Sequence, residues 1–277
     1  MTHKLIVLGL ALILTACSVA RIPESVSTAI LNNPDLEVVE QGLPAYLLTI
    51  DGLVLNYPQN ASLLATSSTL NGSYATLFVT EPERRKRIVN KAYDHAVRSY
   101  CKTVKKHCDL KSLPFDEFET ALAALKKEED FAALYLLGTS WASMIQENTD
   151  DWNAIADLAK VQFIMERIVE LDERYDHGQG LLYLGVLNSL IPPSLGGKPE
   201  VARGYFERAI AVTQGRNLYV KVMYAQQYAR MMFDQELHDD LLKSVIESNA
   251  EVEDLWLQNV YAQKQAAVLL AESVEYF

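Results

Sequence analysis

Basic residues are scarce in this chain. Its 25 lysines and arginines stand against 36 aspartates and glutamates, a formal net charge of −11 over 277 residues. Binding a nucleic-acid backbone needs a basic face, so nucleic acid is excluded as a partner. Cysteine is scarcer still: Cys17, Cys101 and Cys108 are the three, too few for a disulfide-dense or zinc-built scaffold. No stretch sustains a strand's alternation of apolar and polar residues, which argues against a sheet. Beyond Leu14 no apolar run is expected to reach the roughly 20 residues that cross a bilayer. The Gly-x-Ser-x-Gly elbow, the phosphate-binding Gly-x-x-x-x-Gly-Lys-Ser/Thr and His-Glu-x-x-His are all missing. His95, His107, His177 and His238 are scattered. The acidic neighbours of His238, Asp239 and Asp240, are expected to point away from it around a helix. The expectation is therefore no enzyme, no metal and no cofactor.

What is present begins at the N-terminus. A single positive charge, Lys4, precedes the ten apolar residues Leu5 to Leu14, the layout of an export signal too short to span a membrane. Leu14-Thr15-Ala16-Cys17 matches the lipobox of bacterial lipoproteins, so Cys17 is expected to carry a lipid anchor whose acyl chains bury about 0.8 kcal/mol per methylene. Ser18 follows in place of aspartate, which favours the outer over the inner membrane of a Gram-negative envelope, facing the periplasm. The expected organisation is a signal peptide over 1–16, a lipidated polar tether over 17–34 and one helical domain over 35–277. In an oxidising compartment Cys101 and Cys108 are expected to form a disulfide. Seven residues apart on one helix they would lie about 10 Å from each other, beyond the roughly 7 Å that a bridge tolerates. The helix must then break, and Asp109 to Pro114 holds turn-forming residues. A metal site that also uses His107 lacks a second ligand cluster.

Nearly every segment after residue 35 spaces its apolar residues for a helix, with proline and glycine between segments. The fold class is all-α, an irregular tetratricopeptide-like solenoid of helix pairs. Leu137-Gly138 with Trp141 opens one unit and Ala159-x-x-x-Phe163 continues it. Leu184-Gly185 opens another, followed by Ala202-x-x-x-Phe206-x-x-Ala209. Gly138 and Gly185 are expected to let the next helix approach, with Phe163 and Phe206 filling the space beyond. Weaker units run from Gly72 and Tyr74 into Ile88 to Tyr100, and from Tyr224, Ala225 and Tyr228 into Leu237 to Val245. Four pairs result, with Asp35 to Tyr57 capping one end and Glu251 to Phe277 the other, since a solenoid must cover its last apolar faces.

Three segments carry a family resemblance: Gly42-Leu43-Pro44-Ala45-Tyr46-Leu47-Leu48-Thr49-Ile50-Asp51-Gly52-Leu53, Pro58-Gln59-Asn60-Ala61-Ser62-Leu63-Leu64, and Pro192-Pro193-Ser194-Leu195-Gly196-Gly197-Lys198-Pro199-Glu200-Val201-Ala202. They resemble TatT, the T component of tripartite ATP-independent periplasmic (TRAP) transporters, along essentially the whole mature chain. The resemblance implies a lipid-anchored helical protein with cryptic repeats that associates with a periplasmic solute-binding subunit. It also implies an apolar or carboxylate ligand and, in some members, a homo-trimer with a central pore. Where the family often has Gly-Gly-Asp-Pro, this chain has Lys198.

Glu83-Arg84-Arg85-Lys86-Arg87 is the one basic cluster, read as a solvated helix start or as a patch for acidic head groups or a partner. Counting one after and three before the small mid-helix residue, the groove of a tetratricopeptide array is expected to be lined by Thr69, Ser73, Tyr135, Thr139, Leu182, Val186, Val222 and Gln226. The expected function is a lipid-anchored scaffold that binds the solute-binding subunit of a TRAP transporter and holds or transfers its ligand. The alternative is an envelope assembly lipoprotein that binds protein partners in the same groove.

Overall fold

The computed structural model describes residues 22–125 and 128–277, and every described regular element is helical or a helical turn. The signal segment and Cys17 lie outside the described residues. The helices are α1 (Ile22–Leu31), α2 (Leu36–Asn56), α3 (Ala61–Phe78), α4 (Pro82–Val104), α5 (Phe115–Ala123), α6 (Glu128–Gln146), α7 (Trp152–Ala156), α8 (Leu158–Leu171), α9 (Tyr175–Asn188), α10 (Pro199–Val212), α11 (Leu218–Met223), α12 (Arg230–Met232), α13 (Gln235–Glu247), α14 (Trp256–Ala271) and α15 (Ser273–Tyr276). A π-helical stretch, Tyr224–Ala229, joins α11 to α12 with right-handed backbone throughout, so the three form one rod.

Short polar residues set where the rods begin. Asp35 accepts from the Glu37 and Val38 amides to start α2, and Asn60 accepts from Leu63 to start α3. Glu81 accepts from the Glu83 and Arg84 amides, with Pro82 as the first residue of α4. Each cap occupies amide groups that a helix start leaves without partners, an effect of about 1 kcal/mol.

The helices pack on their neighbours in sequence. α3 pairs with α4, α6 with α8, α9 with α10, and the α11–α12 rod with α13. Between pairs, α4 lies on α6, α8 on α9, α10 on α11 and α13 on α14. The small residues act unequally. A methyl group on Gly138 would come within 2.6 Å of Ile164, and one on Gly185 within 2.9 Å of Phe206, so both glycines permit a close helix approach. Gly72 has nothing near it. Phe163 does not fill the space at Gly138: its ring meets Phe115 and Phe118 at 5.9 and 6.2 Å, while Ile164, one residue on, takes that place. Ala159 is exposed. One residue along a helix turns about 100°, enough to exchange the two roles.

Three further differences concern the ends. Residues 22–31 of the expected tether form α1, which packs on α14. Asn32 and Asp254 bond each other twice, through Asn32 Nδ2 at 3.1 Å and the Asp254 amide at 2.8 Å. Leu257 of α14 is buried in the cluster built on Val39, Leu43, Leu47, Ile50 and Val54 of α2. The two end segments thus meet each other rather than only closing opposite ends. α2 is also long and apolar enough to cross a membrane by length and composition, which the sequence reading did not expect. Val39, Leu43, Leu47, Ile50 and Val54 serve the core, while Val38, Leu48 and Leu55 are exposed and Glu37, Glu40 and Asp51 interrupt the helix's apolar sequence.

Cys101 lies in the last turn of α4. Lys105 (φ 60°) and His107 (φ 51°), both left-handed, reverse the chain and bring Cys108 back to a Cα separation of 4.6 Å, where the sulfurs are bonded. The break therefore comes earlier than Asp109 to Pro114, a segment that forms the short turn Leu110–Ser112 and leads into α5.

Candidate functional site

Tyrosines from four helices meet in pairs within the array. Tyr135 comes from α6, Tyr175 and Tyr183 from α9, Tyr219 from α11 and Tyr261 from α14. Tyr135 and Tyr175 meet edge to face at 5.0 Å, and Tyr219 and Tyr261 at 6.3 Å. Each of these rings keeps some contact with solvent, yet burial among neighbouring helices raises the Tyr135, Tyr219 and Tyr261 phenols above their ordinary range. Burial and then Asp176 push Tyr183 up to about 12. These half-exposed rings, crowded by several helices, form an aromatic seam that is the candidate hollow of the array.

The entrance to α9 shapes this hollow. Asp176, His177 and Gly178 all adopt left-handed backbone, with φ of 45°, 54° and 74°. For the first two this costs about 1–2 kcal/mol each. The turn is held by Tyr135, whose hydroxyl donates to the Asp176 carboxylate, and by Asn217, whose Nδ2 donates to the His177 carbonyl at 3.1 Å. Gln258 Nε2 donates in turn to Asn217 Oδ1 at 2.9 Å, tying the starts of α9, α11 and α14 together.

Of the eight groove residues expected from the repeat register, Tyr135 is in this hollow. Thr139 and Val186 are half-buried, and Thr69, Ser73 and Gln226 are exposed. Leu182 and Val222 are core residues, 4% and 1% exposed. Leu182 packs with Phe206 and Tyr224, Val222 with Leu242 and Ala262. The assumed register puts these two one position or one turn away from the side chains that do face the hollow, Tyr183 and Tyr219. Sequence reading missed both, together with Tyr261 and Asp176. The available signal was a tyrosine in each of α6, α9, α11 and α14.

The basic cluster is largely occupied within the fold. Arg84 donates to the Tyr74 hydroxyl at 3.0 Å, Arg85 pairs with Glu147 at 2.8 Å, and Lys86 pairs with Asp150 at 3.2 Å. The first bond ties the start of α4 to α3, and the other two tie it to the residues just past α6. His95 is buried, bonded through Nδ1 to Ser67 Oγ at 2.9 Å, and burial lowers its pKa. His238 differs from expectation. Its Nδ1 reaches the adjacent Asp239 carboxylate at 2.9 Å, and Ser273 donates to the same oxygen at 2.6 Å. The carboxylate sits between the hydroxyl and the imidazole, so His238 is not placed to take the Ser273 proton, and its ring is fully buried against Phe277. Among the described residues no three of His, Cys, Asp and Glu converge on a metal-sized site.

Raised phenols predict alkaline instability. Tyr183 and Tyr224 are both pushed up to about 12, each by burial first, with Asp176 and Glu207 respectively adding to it. In the unfolded chain tyrosine ionises near 10, so the unfolded state releases protons that the folded state keeps. This contribution is intact below pH 10 and is lost as the pH rises from about 10 to about 12. Urea midpoints at pH 9 and pH 11.5 are expected to differ, with Tyr183→Phe removing on the order of 2 kcal/mol of the difference. An unchanged difference in that variant would exclude Tyr183 as a source.

No curated protein matches the chain. A family model does, described as TRAP transporter T-component, over residues 32–277, from the end of α1 to the last residue. That span takes in every helix pair and every tyrosine of the hollow, and the chain therefore belongs to the TRAP transporter T-component family.

Proposed function

We propose that this chain is a lipid-anchored periplasmic scaffold that binds the solute-binding subunit of a TRAP transporter and holds or transfers that subunit's ligand. The family already associates the chain with TRAP transport in the bacterial envelope. The observation that carries the finer reading is the seam of half-exposed tyrosines across α6, α9, α11 and α14. Aromatic faces accept an apolar guest, and the phenols of Tyr183, Tyr219 and Tyr261 suit a carboxylate as hydrogen-bond donors. A homo-trimer would multiply such hollows around one axis. Lipidation at Cys17, in the outer membrane, would leave five residue steps to Ile22. That limits the start of α1 to about 18 Å from the anchor and presents the hollow to soluble partners at the membrane surface.

Co-purification from detergent extracts is the direct test. The solute-binding protein encoded with the same transporter is expected to elute with the chain, and the chain's intact mass is expected to include the lipid on Cys17. Recovery of the chain without that protein under mild extraction would sink the scaffold reading, and an unmodified Cys17 would sink the anchor.

A further inference from the structure

α1 and the start of α2 enclose a cleft of about 420 Å³, apart from the tyrosine seam. Val26, Ala29 and Ile30 of α1 form one wall and Val38 of α2 the other. Val39 and Leu43, buried members of the α2 core cluster, form the floor. Gly42 also lines the cleft, and a methyl group there would have nothing within 4 Å, so the space above it is open. Polar groups are confined to Ser25, Asn33 and Tyr46, and no charged side chain lines the cleft. Such a size and lining suit a single apolar chain.

Charge narrows the choice of guest. Residues 22–57 contain no lysine, arginine or histidine, and Asp35, Glu37 and Glu40 stand exposed at the start of α2. Cations on the neighbouring helices lie outside the lining. Lys91 pairs with Asp51, Arg84 bonds Tyr74, and Arg85 and Lys86 pair with Glu147 and Asp150, while Arg87 and Lys264 are exposed. Arg21, just before α1, lies outside the described residues. The carboxylate of a free fatty acid or the phosphate of a free phospholipid would therefore meet acids and, among the described residues, no partner cation. An acyl chain linked covalently to protein brings no such charge.

The chain's own anchor is of that kind and lies within reach. Cys17 is five residue steps from Ile22, at most about 18 Å. Val26 stands four residues further on, about 6 Å along α1. A guest on so short a tether is presented at an effective concentration of about a millimolar, ahead of a diffusing lipid. We propose that the cleft between α1 and α2 holds one acyl chain of the lipid on Cys17. The assignment rests on the lipid anchor proposed above and adds the place in the fold that receives it. Within a bilayer the exchange gains little, hydrocarbon for hydrocarbon, whereas away from one it takes the chain out of water. The cleft thus serves the protein when its anchor is not in a membrane.

The test uses the full chain, exported and lipidated in cells fed a diazirine-bearing fatty acid. The purified protein is irradiated in detergent diluted to just below its micelle-forming concentration. Intact mass first establishes that Cys17 carries the photoactive lipid. Cross-links are then expected within the same molecule, on peptides covering residues 25–46. Gly42→Phe fills the cleft and, by replacing a mid-helix glycine, favours the helix. It is expected to lower those cross-links about fivefold or more. Gly52→Phe makes the same change on the same helix, at an open position outside the lining, and should stay within about twofold of wild type. Should Gly42→Phe lose helical content, Val38→Lys, at a position 56% exposed, is expected to show the same loss and decides in its place. Cross-links that survive the cleft variants, or that fall elsewhere in the chain, overturn the cleft assignment and leave the anchor standing. Cross-links to a second copy assign the cleft to a neighbour's lipid and overturn the proposal. So does equal labelling of the cleft by free diazirine fatty acid added to the chain from unfed cells. An unmodified Cys17 overturns the anchor and the proposal together.

Discussion

Replacing Trp141 by alanine is expected to destabilise the chain by about 3–5 kcal/mol, among the largest effects of any single core change. The indole is completely buried on α6, the helix that lies between α4 and α8. Its ring meets Tyr93 of α4 at 6.0 Å and Phe118 of α5 at 6.5 Å, so one side chain joins three helices. Truncation loses its transfer free energy and leaves a cavity lined by rigid aromatic neighbours that cannot easily collapse. The indole nitrogen is buried without a hydrogen-bond partner, so the N–H adds nothing that phenylalanine lacks. Trp141→Phe is therefore expected to cost about 1–2 kcal/mol, for the smaller ring alone. Urea unfolding followed by circular dichroism checks both, with the midpoint falling and the slope unchanged. A loss under about 1 kcal/mol in Trp141→Ala would show that the α4–α6–α8 core repacks around the gap.

The helical class, the helix pairs and the close approaches at Gly138 and Gly185 were legible in the sequence, because helix periodicity and a small residue beside a large one are local signals. The facing direction of each helix was not. Tyr183 lies one residue from Leu182, and one residue is about 100° of rotation, so an error of one moved a core leucine into the expected groove. Nor did the sequence reveal that α1 and α2 would meet α14, because the Asn32–Asp254 bonds join residues 222 apart. The basic run at residues 84–87 read as a solvated helix start or a patch because Glu147 and Asp150, which take up two of its charges, lie more than 60 positions away.

These limits separate two kinds of feature. Whatever the hollow holds depends on tyrosines whose direction only packing decides. The Leu195 turn differs, because turn chemistry is written locally in Pro192, Pro193, Gly196 and Gly197. One of the three segments that carried the family resemblance is thus also one whose shape its own residues dictate.

Phe206 supplies the second large effect and tests how α9 and α10 are held together. Its ring is fully buried, stacks on Tyr224 at 4.9 Å, and sits in the hollow left by the missing side chain of Gly185. Phe206→Ala is expected to cost about 3–5 kcal/mol. Gly185→Ala places a methyl group 2.9–3.0 Å from three atoms of that ring and is expected to cost about 1–3 kcal/mol by overpacking. If the ring is what the methyl strikes, the two sites are coupled. Phe206→Leu alone is expected to cost about 1–2 kcal/mol, and it leaves room for the methyl group. The double variant Gly185→Ala/Phe206→Leu should then be more stable than the sum of its singles by about 1 kcal/mol. Strict additivity would mean that the glycine serves the backbone and not the ring. Because α9 carries Tyr183 and leads into the turn at residues 190–197, the same contact sets the tyrosine seam and that turn relative to each other. Loosening it in the Gly185→Ala variant is expected to shift the alkaline unfolding of Tyr183 to lower pH as the phenol gains water.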